Sequence, residues 1–131
     1  MAKVWFEHIH IITLDPMKLG AFYERVFDAK ITRTVTLPNG GPLVFLDLGG
    51  TKLAIGVPST PDKRDPPDNP HKHFGLEHLG LRTDDIEAVV QRAVAEGATI
   101  MQGITQGLLP GTRVAFIMTP ENTMIEIAEV K

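Results

Sequence analysis

EHIHIITLD at residues 7–15 returns seventy positions later as EHLGLRTDD at 77–85, with Glu7/Glu77, His8/His78, Thr13/Thr83 and Asp15/Asp85 in register. Each stretch reads as a short strand of aliphatic and β-branched residues that runs into an Asp suited to a helix N-terminus. After the first, Pro16 falls in the opening helical turn, where a missing N–H costs nothing. Leu19, Phe22, Tyr23, Val26 and Phe27 then keep helical spacing. KITRTVTL, PLVFLDL and TKLAIGV follow as strands, with a turn at NGG (39–41) and a second at GG. After the second stretch, DDIEAVVQRAVAEG places Ile86, Val89, Val90, Ala93 and Val94 on one helical face. Asp84 and Glu87 have capping-box spacing there, and Gly97 suits the helix end. ATIMQGI, RVAFIM and TMIEIAEV supply the remaining strands, with TQGLLPGT as a loop. After small shifts FLDLGGTKLAIGV also lies on FIMTPENTMIEIAEV.

The pattern predicts an α+β fold of two tandem βαβββ modules, at about 4–57 and 74–130, within a single domain. Between them PSTPDKRDPPDNPHKH (58–73) holds five of the ten prolines among charged and small residues, the composition of a linker or exposed loop. Two such modules can curl their sheets into a half-open barrel around a cleft, where equivalent residues would face each other. Length and composition agree: 131 residues at 43% hydrophobic and 22% charged make an ordinary globular chain. The net charge of −3 and the lack of a basic block argue against a nucleic-acid partner. Nothing approaches a membrane span or a signal peptide, so a cytoplasmic protein is the expectation. With no cysteine, any transition metal must be held by imidazole and carboxylate.

The histidines supply that chemistry. One strand histidine alone reads most simply as a hydrogen-bonded core residue. Two at repeat-equivalent positions, His8 and His78, read as a convergent pair. In TMIEIAEV, Met124, Glu126 and Ala128 share the face opposite Ile125 and Ile127, which aims Glu126 at the same cleft. Two imidazoles and a carboxylate can bind one face of a divalent ion, Fe(II), Mn(II), Ni(II), Co(II) or Zn(II), and leave positions open. His10 shares a face with His8. It reads as a partner of a ligand, a proton carrier, a substitute fourth ligand or a polar lining residue. Arg82 shares a face with His78 and could meet a substrate carboxylate, or stand solvated at the strand end. His71 and His73 lie in the polar linker, and LLPGT (108–112) is a turn that could also close over the cleft.

These segments resemble the vicinal oxygen chelate superfamily, which includes glyoxalase I, methylmalonyl-CoA epimerase, fosfomycin-resistance enzymes, extradiol dioxygenases and bleomycin-resistance proteins. The resemblance spans the chain, through EHIHIITLDPMKLGAFYERVF, LEHLGLRTDDIEAVV and TPENTMIEIAE. It implies metal ligands at His8, position 54, His78 and Glu126, and a homodimer. Position 54 is Ala54, which neither ligates nor accepts a proton, so the set resembles the three-ligand sites of the extradiol and fosfomycin-modifying members. TPENT also stands where many relatives carry a DPDG-like turn. The resemblance implies a metal-dependent enzyme for a small substrate with adjacent oxygens, dioxygenase chemistry leading. A glyoxalase- or epimerase-like lyase or isomerase using His10 as base is the alternative, and a metal-free binding or resistance protein is the third.

Overall fold

The structure is a computed structural model that describes residues 2–58 and 74–130. Residues 59–73, with His71 and His73 and nearly all of the expected linker, lie outside the described residues. The chain divides into two compact units, the first ending at residue 63 and the second beginning at 64. Each is one βαβββ module with an open four-stranded sheet, as the repeat predicts.

In the first module, β1 (His8–Ile12) leads to α1 (Pro16–Phe27), then β2 (Lys30–Thr36), β3 (Pro42–Leu48) and β4 (Thr51–Gly56). The strand order is β1-β4-β3-β2, with β1 parallel to β4 and the other pairs antiparallel. Asp15 starts α1 by accepting the Lys18 N–H at 3.0 Å. Asp28 ends the helix in the left-handed conformation at φ 55, one that short polar residues tolerate. The buried stripe Leu19, Phe22, Tyr23 and Val26 packs on Val44, Leu46, Leu53 and Ile55 of the sheet. Each such side chain contributes about 1.5–3 kcal/mol by leaving water. Gly20 lies at this contact, where a Cβ would stand 3.4 Å from Val44 Cγ1, about van der Waals distance.

The second module repeats the plan with β5 (Leu79–Thr83), α2 (Ile86–Ala95), β6 (Thr99–Gln106), β7 (Thr112–Met118) and β8 (Met124–Val130), ordered β5-β8-β7-β6. Three details differ from the sequence reading. The helix cap is Asp85, which accepts the Ala88 N–H at 3.0 Å, so Asp84 and Glu87 form no capping box. Val94 is 46% exposed, since it lies about 90° around the helix from the middle of the buried stripe. β6 runs on through Thr105 and Gln106, two residues taken for loop, because both pair with β7. None of the described helices is long and apolar enough to cross a membrane.

Glu129 ties this module together. Its side chain is almost wholly buried, on the face of β8 that looks toward α2. One oxygen accepts the Ile86 N–H at 3.0 Å, at the positive end of the helix. The other accepts from Arg113 Nε at 3.1 Å and Nη2 at 2.8 Å. Arg113 also forks onto Glu87, with Nη1 2.6 Å and Nη2 3.0 Å from its oxygens. The two carboxylates, Glu87 first, raise the guanidinium pKa above its ordinary value. Arg113→Met is expected to destabilise the fold more than any change at Glu87, since it strips donors from the buried Glu129 carboxylate. Glu87→Gln, at an exposed partner, costs under about 1 kcal/mol. Urea unfolding of the two variants checks the ranking.

Candidate metal centre

Each sheet has one face against its helix and one free of it, and strand alternation sorts the side chains between them. In the first module Ile9 and Ile11 go to the helix side, while His8, His10 and Ile12 go to the other, with the burial alternating to match. Register sets His8 beside Lys52, His10 beside Ala54 and Ile12 beside Gly56 on the parallel neighbour β4. In the second module Leu79, Leu81, Ile125 and Ile127 look toward α2. Gly80 lies beside Glu126 and Arg82 beside Ala128 on the helix-free face. His78, one residue ahead of β5, shares that face.

His78 and Glu126 meet there. Nε2 of the imidazole is 3.0 Å from Oε2 of the carboxylate, and the two side chains are 28% and 27% exposed. Phe116, beside Glu126 on β7, packs against the imidazole edge-on, with ring centroids 5.3 Å apart. On the far side of the ring, Nδ1 lies 3.0 Å from Glu77 Oε1. Both ring nitrogens of His78 thus face carboxylate oxygens, Nδ1 that of Glu77 and Nε2 that of Glu126. The first module repeats the Nδ1 contact: His8 Nδ1 bonds to the Glu7 carboxylate, which also accepts from Lys52 Nζ at 2.5 Å. Lys52 first, and His8 after it, hold the Glu7 carboxyl below the usual carboxylate range. Glu7 and Glu77 are functional candidates that the sequence reading passed over, although the dipeptide Glu-His stands in both copies of the repeat.

Nε2 and Oε2 stand at ordinary hydrogen-bonded ion-pair distance, and an imidazole nitrogen with a carboxylate oxygen is a donor pair of the kind a divalent ion takes. Among the described residues no group of three or more His, Cys, Asp or Glu side chains comes together to hold a metal. The structure therefore joins His78 to Glu126 within the second module. Within the first it sets His8 and His10 on one face, their ring centroids 6.4 Å apart. Arg82 is exposed on the face that holds the His78–Glu126 pair. Leu108 and Leu109 are exposed in the β6–β7 turn. A recess of about 440 Å³ beside that turn is lined by Ile104, Thr105, Gln106, Gly111, Thr112 and Arg113. Its one charged group, Arg113, is engaged by Glu87 and Glu129.

A protein-family model described as the Glyoxalase/Bleomycin resistance protein/Dioxygenase superfamily matches residues 5–127. No curated protein matches by sequence. Among solved structures, the chain is similar to a glyoxalase family protein from Bacillus cereus at TM-score 0.81 and 15% identity, over 98% of this chain and 95% of that one. A glyoxalase family protein from Enterococcus faecalis gives TM-score 0.74 and 21% identity, over 95% and 97%. A variant of the fosfomycin resistance protein FosX from Listeria monocytogenes, complexed with Mn(II) and 1S,2S-dihydroxypropylphosphonic acid, gives 0.71 and 16%, over 96% and 92%. At these identities the solved structures speak for the fold alone.

The Glu7 geometry sets a pH dependence. A depressed carboxylate contributes stability above its ordinary value of 4.5 and loses it as pH falls through the lower folded value. Lys52→Met is expected to move the Glu7 titration upward toward the ordinary range, followed through its side-chain carboxyl carbon by NMR. An unmoved titration would show that Lys52 is not the cause.

Proposed function

The chain belongs to the Glyoxalase/Bleomycin resistance protein/Dioxygenase superfamily, and from that premise we propose a divalent-metal-dependent enzyme for a small substrate with two adjacent oxygens, its ligands His8, His78 and Glu126. The observation that carries the reading is the His78–Glu126 pair, an imidazole nitrogen and a carboxylate oxygen 3.0 Å apart on the helix-free face. The reading asks that His8 join this pair, from the same chain or from a second copy in a homodimer. Two imidazoles and one carboxylate suit Fe(II), Mn(II), Ni(II), Co(II) or Zn(II).

A bound ion would supply Lewis acidity toward the adjacent oxygens and, as Fe(II), a place for O₂. The chain's own residues do the rest. Glu7 and Glu77 fix the tautomer and orientation of the two imidazoles. Phe116 packs an apolar edge against His78 and keeps that side of the ring dry. Arg82, on the same face, offers a planar two-pronged donor to an anionic part of the substrate. Oxygenase chemistry leads because Ala54, at the place that Glu126 holds in the second module, offers no carboxylate to carry a proton. That a FosX variant of this fold holds a molecule with adjacent hydroxyls alongside Mn(II) supports the substrate class. The second reading, a lyase or isomerase, rests on His10, which shares the face of His8 and could act as the base.

Elemental analysis of protein purified without chelator is expected to find one divalent ion per chain, lost in His78→Ala and in Glu126→Ala. Glu77→Gln should weaken binding about 10- to 100-fold, the usual effect of removing a carboxylate behind a ligating histidine. Fe(II)-loaded protein mixed with catechols should consume O₂. No uptake, together with anaerobic turnover of a hemithioacetal or an acyl-CoA, would replace the oxygenase by the lyase or isomerase. Absence of metal under all loadings would leave a small-molecule binding or resistance protein.

A further inference from the structure

We propose that His10 is the second metal donor of the first module, taking the place of the carboxylate that Ala54 lacks. The inference rests on the metal site proposed above. Strand register makes the two modules comparable atom for atom: His10 lies beside Ala54 on β1 and β4, and Gly80 lies beside Glu126 on β5 and β8. Each pair holds one donor side chain and one small residue, on opposite members of the pair. In the second module the donor is on the last strand, and a Cβ at Gly80 would meet nothing within 4 Å. In the first module the donor has moved to the first strand, filling with an imidazole the kind of space that Gly80 leaves open.

The surroundings of His10 are built for a ring in that position. Gly56 stands next along β4, and a Cβ on it would come within 3.2 Å of His10 Nε2 and 3.1 Å of Leu43 Cδ1. Gly56 is not among the glycines with positive φ, so its backbone makes no demand for glycine. A Cβ there would press on the ends of these two side chains, which would have to give by a few tenths of an ångström. The His8 and His10 ring centroids are 6.4 Å apart. Two imidazoles bound through nitrogen to one ion have centroids up to about 6.5 Å apart, since each nitrogen sits about 2.1 Å from the metal. At 6.4 Å the pair meets one ion only with the two nitrogens on opposite sides of it, and a right-angled arrangement takes a turn of the imidazoles about their side-chain bonds. The first module then contributes two donors, His8 and His10. A ligating His10 has no lone pair left for a substrate proton, which favours the oxygenase reading over the His10-base alternative.

The test is ion binding read without turnover. Competition titration with Zn(II) and pulsed EPR of the Cu(II)-loaded protein, which counts coordinated imidazoles, are applied to wild type, His10→Gly and the double variant His10→Gly/Ala54→Glu. The double variant copies the Gly80/Glu126 arrangement into the first module. His10→Gly is expected to lose one coordinated imidazole and about 10- to 100-fold in affinity. The double variant is expected to regain affinity with the imidazole count still reduced by one. His10→Gln serves beside His10→Gly, and far-ultraviolet circular dichroism of the metal-free variants separates loss of fold from loss of a ligand. Wild-type affinity and an unchanged imidazole count in His10→Gly overturn the role of His10 and leave the three-ligand reading intact. A wild-type protein that binds no ion overturns both.

Discussion

Parallel pairing of the first strand of each module with its last is the constraint on which the site depends. β1 lies against β4 and β5 against β8, although the module's helix and two other strands intervene in sequence. A parallel pair cannot be closed by a tight turn; it needs a crossover of a dozen residues or more, and here the helix and the antiparallel hairpins supply it. The pairing brings His78 next to Glu126, residues forty-eight apart in the chain. Without it His78 would have no carboxylate-bearing neighbour strand. The helix makes the pairing stable by covering one face of the sheet, and the hydrophobic stripe of α1 or α2 therefore supports the side chains presented on the opposite face.

That division of labour explains how much could be read from residues alone. The seventy-residue repeat exposed the βαβββ plan, because helix and strand periods, caps and turns recur in the same order in both copies. Alternation in TMIEIAEV was enough to aim Glu126 away from Ile125 and Ile127, and the structure agrees. Ala54 could be matched to Glu126 before any coordinates, and the strand register now pairs the two positions with His10 and Gly80. Other features depend on rotation or partners that spacing does not encode. Val94 has the right heptad-like spacing but falls at the rim of the helix. Asp84 and Asp85 are adjacent and chemically alike, and only backbone geometry chooses Asp85 as the cap. β6 continues past Gly103 because Thr105 and Gln106 find partners on β7, beyond what turn-forming residues suggest.

Glu7 and Glu77 show a different limit. An acidic residue before a histidine is common, and neighbouring residues on a strand normally point to opposite faces. Both pairs sit at the strand's leading end, outside the ladder or at its first rung. There the backbone is free to turn the two side chains together. Their contacts with His8 and His78 follow from that irregularity, and irregular backbone is what periodic patterns leave out. The repetition of Glu-His in both copies was the legible trace of it.

Glu126 and Glu129 stand three apart on β8, and so project from opposite faces of one strand. Glu129 is fastened to the Ile86 amide and to Arg113. A slip of one residue in the pairing of β8 would turn every side chain over, burying Glu126 against α2 and casting Ile125 and Ile127 into water. Such a slip would also pull Glu129 away from the helix terminus that holds it. The network under the helix is thus a latch on alignment: it lies on the far side of the sheet from Glu126, yet it determines which way that carboxylate can point.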